Sequence, residues 1–146
     1  MNWRLKSFKA LSPEELYAIL QLRNEVFIVE QNCPYLDPDG KDFDSMHLMG
    51  WKGDLLAAYT RILPAGLAFE EASIGRVVTS PKARRKGLGK TLMMETIDRL
   101  YSLYGNVPIK IGAQLYLQKF YESLGFVQTS EIYLEDNIEH IEMLKA

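Results

Sequence analysis

Hydrophobic and polar positions along the chain switch between a period of two and a period near 3.6, and the switches divide it into elements. Residues 3–8 read as a short strand, after which Leu11-Ser12-Pro13-Glu14-Glu15 opens a helix. Ser12 with Glu15 forms a capping box, and Pro13 takes the first helical position. Leu16, Ile19, Leu20, Val26 and Phe27 continue as an apolar stripe to about Val29. From 31 to 45, Pro34, Pro38 and Gly40 stand among acidic residues and predict an irregular loop. Residues 46–51 and 55–63 are strand-like and are joined by Lys52-Gly53-Asp54, which predicts an antiparallel hairpin. A further strand over 72–79 leads through Pro81 into a helix with Leu88, Leu92, Thr96, Ile97, Leu100 and Tyr104 on one side. Residues 107–113 read as a strand, and 115–124 as a short helix stopped by Gly125. Two last strands, 126–133 and 138–144, flank a turn at Glu135-Asp136-Asn137. This order implies an α/β (α+β mixed) fold, a mixed sheet with helices on both faces, and no internal repeat is visible.

Composition adds bounds rather than detail. A length of 146 residues predicts one domain over 1–146, and 47% hydrophobic with 25% charged residues is ordinary for a globular chain. No apolar stretch approaches the roughly 20 residues that cross a bilayer, and no apolar segment follows the basic residues at the start. A cytoplasmic protein without a membrane partner is the expectation. The one cysteine, Cys33, cannot form an internal disulfide, which agrees with a reducing compartment, and it is read as inert.

Net charge is −2, which gives the molecule as a whole no bias towards nucleic acid. Locally the picture differs. Lys82, Arg84, Arg85, Lys86 and Lys90 crowd one glycine-containing turn, with Arg76 upstream, while Asp37, Asp39, Asp42 and Asp44 crowd another segment. Aromatic residues do not interleave the basic run, as a single-strand binder would require. A small polyanion is the better match for the turn.

Amides at a helix start point outward unpaired and carry the positive end of the dipole, so a phosphate can rest against them. Gly87 and Gly89 let it approach the backbone closely. Gly89-Lys90-Thr91 matches the end of a nucleotide-binding P-loop, but Arg84 stands where that motif opens with glycine, so the P-loop reading fails. Arg84-Arg85-Lys86-Gly87-Leu88-Gly89 does fit the arginine or glutamine, two variable residues, glycine, variable, glycine pattern of the Gcn5-related N-acetyltransferases (GNAT). Downstream, Phe120-Tyr121-Glu122-Ser123-Leu124-Gly125-Phe126 resembles the later signature of that family. Long local similarities identify the chain with the ElaA-type subgroup: Arg23 to Tyr35, Ile74-Gly75-Arg76-Val77-Val78, Gly112-Ala113-Gln114, and Glu135 to Ile141.

The resemblance implies an acyl-CoA N-acyltransferase fold whose two central parallel strands splay into a slot. It also implies acetyl-coenzyme A as co-substrate and an amine, small-molecule or peptide, as acceptor. Arg84, Arg85, Lys86, Gly87, Leu88, Gly89 and Lys90 would hold the pyrophosphate, and Val77, Val78 and Thr79 would pair with the pantetheine arm. Tyr121 matches the position that protonates the leaving thiolate, and the Val78 amide is the family-based donor to the oxyanion. A phenol with a pKa of about 10 is protonated at neutral pH and suits that task. The general base stays open among Glu30, Glu71, His47, His140 and a water chain. A catalytically inactive coenzyme A sensor or adaptor is the alternative function, and a homodimer is a possible assembly.

The acidic segment reads either as a solvated loop or as a device that steers a cationic amine. Lys41 and a misplaced Gly40 exclude a calcium loop of EF-hand type. No histidine or cysteine cluster suggests zinc, so no metal is expected.

Overall fold

The amino-terminal capping box closes as the sequence predicts: the Glu15 amide donates to Ser12 Oγ at 3.0 Å, and the Ser12 amide donates to Glu15 Oε1 at 2.9 Å. In the computed structural model, which describes residues 1–85 and 87–146, strand β1 (Asn2–Ser7) precedes helix α1 (Pro13–Arg23). The helix does not end at Arg23. It continues as a π-helix over Asn24–Glu30, held by Gln31 N to Val26 O and Cys33 N to Ile28 O, each 3.0 Å. Wide helical turns of this kind recur at functional sites. Here the turn carries Glu30 and Gln31 to the rim of the cavity described below.

Strands β2 (Met46–Lys52), β3 (Leu55–Leu63) and β4 (Ser73–Thr79) complete an antiparallel sheet in the order β1-β2-β3-β4. Helix α2 (Leu88–Tyr104) follows, then β5 (Ile109–Gln114) and the short helix α3 (Gln118–Glu122). The predicted strand over 126–133 is instead two pieces, β6 (Val127–Gln128) and β7 (Tyr133–Glu135). Between them the Thr129 amide bonds to Glu142 and the Glu142 amide to Ser130 Oγ, so side chain and turn replace a regular ladder. Asp136 and Asn137, both at positive φ, make the tight two-residue turn into β8 (Ile138–Lys145).

Strand alternation distributes the apolar residues to two faces. Met49, Tyr59 and Val78 pack under Ile19 and Leu22 of α1 and Val26 of the π-helix, while Leu48 and Ala58 pack against Leu92 of α2. Met93, Ile97 and Leu100 of α2 extend the second core over β5 and β8. The molecule is therefore a mixed α/β fold, mostly antiparallel, with helices on both faces. The two sheets meet at one parallel bridge, Ala72 to Ile109, where the Lys110 amide donates to Ala72 O at 2.9 Å. Beyond that bridge β4 and β5 are no longer paired.

Candidate active site

The divergence of β4 from β5 opens a cavity of about 410 Å³. Val77, Val78 and Thr79 line one side, Ile111 and Ala113 the other, and Tyr121 lies at its wall. Gln31 and Gln114 exchange amide contacts of 3.3 and 3.4 Å across it, tying the π-helix to the end of β5.

The β4 edge has a definite parity. The Ser80 amide donates to Ala57 O at 2.8 Å, and Thr79 and Val78 lie opposite Ala58 and Tyr59 without interruption. In an antiparallel ladder consecutive residues alternate in direction. The Val78 amide therefore turns back to β3, and that of Thr79 faces the slot. This corrects the assignment of the oxyanion donor to Val78: its position on the strand fits, but its N–H is committed within the sheet. The register shifts just upstream, where Arg76 takes a φ of +50° and bulges from the strand.

At the end of β4 the chain turns through Ser80, whose hydroxyl accepts from the Lys82 amide at 3.2 Å, towards α2. Gly87 occupies the N-cap of α2 with φ +87°, a conformation that side chains resist. Leu88 N bonds to Arg85 O and Thr91 N to Gly87 O. Among the described residues, the amides of Gly87 and Gly89 meet no protein acceptor. Gly89 also lines the cavity, and a Cβ there would rest on the Phe120 ring at 3.8 Å. Arg85 and Lys90 are exposed beside these amides. Lys86, the remaining basic residue of the motif, lies outside the described residues. Arg84 departs from its expected place: its guanidinium makes a bidentate pair with Glu30 at 2.6 and 2.8 Å. The loop is thereby clasped to the π-helix.

Tyr121 is 5% exposed and sits edge-on between Phe120 and Phe126. Burial, and then the neighbouring Tyr116, push its phenol above the ordinary tyrosine range. Among the described residues, its hydroxyl has no hydrogen-bond partner.

The four candidate bases separate clearly. His47 is buried with both ring nitrogens engaged, Nδ1 at 2.6 Å from the Tyr59 hydroxyl and Nε2 at 2.9 Å from Asp42 O. Burial lowers its pKa, and it does not border the cavity. Glu71 precedes β4 at the closed end of the splay, away from the cavity lining. Glu30 lines the rim, but hydrogen bonding to Arg84 holds its carboxylate below the usual range, which makes it a poor proton acceptor. His140 lines the cavity and is 7% exposed.

Most of the acidic segment is held in ion pairs rather than free to attract a substrate. Asp37 and Asp42 are buried and bind Arg23, at 2.7 and 2.8 Å. Asp42 also meets Arg61 at 3.0 Å, and Asp39 binds Arg61 at 2.6 Å. Arg76 reaches back from the bulge, its Nε in ion-pair range of Asp37 at 2.9 Å without hydrogen-bond alignment, and its Nη2 donating to Asp37 O at the same distance. Three arginines thus neutralise three aspartates, and only Asp44 of the four stays exposed and outside the network. Two signals in the sequence pointed here. Arg23 follows Ile19 by one helical turn on the buried side, and Arg61 interrupts the apolar run of β3. An arginine in a core position requires a countercharge.

A sheet splayed between two parallel strands, with a glycine loop opening a helix at the slot, is the architecture of the acyl-CoA N-acyltransferases. Residues 45–146 match the family model of the acetyltransferase (GNAT) domain. Protein ElaA of Escherichia coli K12 is 44% identical over 99% of this chain and 96% of that protein, and its crystal structure superposes with a TM-score of 0.92. An acyl-CoA N-acyltransferase from Pseudomonas aeruginosa, also 44% identical, superposes with a TM-score of 0.94 over the whole of both chains. An aminoglycoside 6'-N-acetyltransferase solved with coenzyme A shares the fold at a TM-score of 0.71 and 16% identity, over 97% of this chain and 96% of that one. The chain belongs to the GNAT family, in its ElaA-type subgroup, and acyl transfer is the chemistry of that class.

Proposed function

We propose that this protein transfers an acetyl group from acetyl-coenzyme A to a primary amine, carried by a small molecule or a peptide, by direct attack with both substrates bound. One observation carries the reading: the free edge of β4, Gly89 at the start of α2 and the side chain of Tyr121 all line a single slot. Bound acetyl-coenzyme A would supply the activated thioester. The amides of Gly87 and Gly89 receive the diphosphate at the positive end of α2, with Arg85 and Lys90 adding charge around it. Thr79 offers its N–H and C=O to the pantetheine amides. Val77, two residues back on the same parity, takes the place of Val78 as donor to the carbonyl oxygen as negative charge develops there. Tyr121 stays protonated because burial disfavours phenolate, and it gives its proton to the departing sulfur.

Binding and chemistry are tested separately. Acetyl-coenzyme A at a hundred times its Kd contributes about 2.7 kcal/mol, which for a chain of this size raises Tm by roughly 5–10 °C; no shift at saturation would count against the reading. Tyr121→Phe leaves the affinity for acetyl-coenzyme A unchanged and lowers turnover of an accepted amine, measured by thiol release, by roughly 10²–10⁴-fold. Unchanged turnover removes Tyr121 from the mechanism.

A further inference from the structure

We infer that His140 is the general base that deprotonates the incoming ammonium, acting through Nε2. The inference rests on the acetyl-transfer reading above and supplies the group that reading lacks. The tautomer is set by the backbone. Nδ1 lies 2.7 Å from Ile138 O, and because a carbonyl can only accept, Nδ1 carries the proton. In the neutral ring Nε2 is then a bare lone pair. Its orientation is fixed from two sides: Tyr133 stacks on the ring at 5.9 Å between centroids, and β8 sets His140 opposite Gln114, the last residue of β5, on the open side of the splay.

Acidic side chains stand beside the ring. Glu135 Oε2 stands 3.5 Å from Nε2, with its carboxylate 60% exposed. Asp136 also lines the cavity, while Glu139 adjoins His140 in β8 and Tyr35, Cys33 and Tyr133 are the neutral titratable groups near by. The two cations on the cavity wall are already matched, Arg76 by Asp37 and Arg84 by Glu30. Negative charge without a fixed partner therefore remains at the His140 end, where a protonated amine would enter. His47, in contrast, has no free nitrogen.

The proton balance closes. An alkylammonium gives one proton to Nε2 and becomes the free amine, whose nitrogen bonds to the thioester carbon as the carbon–sulfur bond breaks. The second proton on nitrogen replaces the one Tyr121 gives to sulfur, and the imidazolium returns its proton to water. The products are the amide, the free thiol and one hydrogen ion.

The test compares two amines of one shape at neutral pH with saturating acetyl-coenzyme A: ethylamine, which is protonated, and 2,2,2-trifluoroethylamine, which is not. Binding of acetyl-coenzyme A by calorimetry comes first, so that failure of the acetyl-transfer reading is seen separately from failure of the base. In His140→Gln, kcat/KM for ethylamine at neutral pH falls by roughly 10²–10⁴-fold and recovers as pH rises towards the pKa of the amine, while trifluoroethylamine keeps its rate within a few-fold. Equal losses with both amines, or a loss with ethylamine that does not recover at high pH, overturn the inference. Should the variant fold poorly, nitrogen-15 spectra of histidine-labelled wild-type protein decide. A neutral His140 with the proton on Nδ1 supports the inference, and a proton on Nε2 overturns it.

Discussion

Replacing Arg23 with Met removes one cation from a network that is neutral as built. Arg23 is 1% exposed and holds Asp37 and Asp42 through Nε and Nη1 at 2.7 and 2.8 Å. Removing one partner of a buried ion pair costs about 3–5 kcal/mol, because the other charge stays buried. The lower end applies here, since each carboxylate keeps a second cation. Asp42 retains Arg61 at 3.0 Å, and Asp37 retains Arg76 at 2.9 Å together with the Tyr35 hydroxyl. A loss of about 3 kcal/mol corresponds to a drop in Tm of roughly 6–12 °C. With an m-value of about 1–3 kcal/mol/M, the urea midpoint falls by roughly 1–3 M. Urea unfolding followed by far-ultraviolet circular dichroism measures both the midpoint and m. Adding Asp37→Leu to Arg23→Met restores charge balance and recovers part of the loss, so the two changes are not additive. A loss under about 1 kcal/mol with unchanged m would mean that these charges are solvated. The acidic segment would then be available to a cationic substrate after all.

Stability also declines towards acid in two stages. Burial keeps His47 neutral in the fold, so its contribution is present above the unfolded value near 6.5 and is lost as pH falls below it; His47→Gln removes this first stage from a Tm-against-pH curve. Burial pushes the Asp39 and Asp42 carboxyls up, but Arg61 and Arg23 outweigh it and hold both below the ordinary range. Their contribution is therefore lost below about pH 4, and a flat Tm down to pH 3 would contradict this. Gly87→Ala places a Cβ in open space at φ +87°, so its cost of about 1–2 kcal/mol is backbone strain alone; calorimetry should show weakened coenzyme A binding but unaltered binding of acetyl-pantetheine, which lacks the diphosphate.

Most of the fold was legible because the deciding interactions are local. Ser12 and Glu15 declare a helix start within four residues, and the Gly53 and Asn137 turns declare hairpins. The stripe of α2 is regular enough that Leu92, Thr96, Ile97 and Leu100 are all buried as read. What escaped the reading depends on contacts distant in sequence. No local pattern distinguishes the π-turns of 24–30 from an α-helix, since both bury Val26 on the same side. The break at 129–132 comes from the Ser130 hydroxyl bonding to β8, a partner unknown until the sheet is assembled.

The same distinction separates the two halves of the candidate site. The proposed phosphate turn is one continuous segment, and the chemistry proposed for it follows from glycine, charge and a helix start. The proposed acceptor end is assembled from the π-helix, the β4 bulge, the tip of β5 and the β7–β8 turn, and no one of these segments carries a signature by itself. Acidic residues near a slot suggested substrate attraction only while their distances from Arg23 and Arg61 were unknown; once those salt bridges are drawn, the aspartates become the scaffold that seats Arg76 and its bulge. That bulge shifts the β4 register and so decides which amides face the slot. A residue as remote as Arg23 thereby supports the parity on which the proposed Val77 donor depends, and Arg23→Met should disturb acetyl-coenzyme A binding as well as stability.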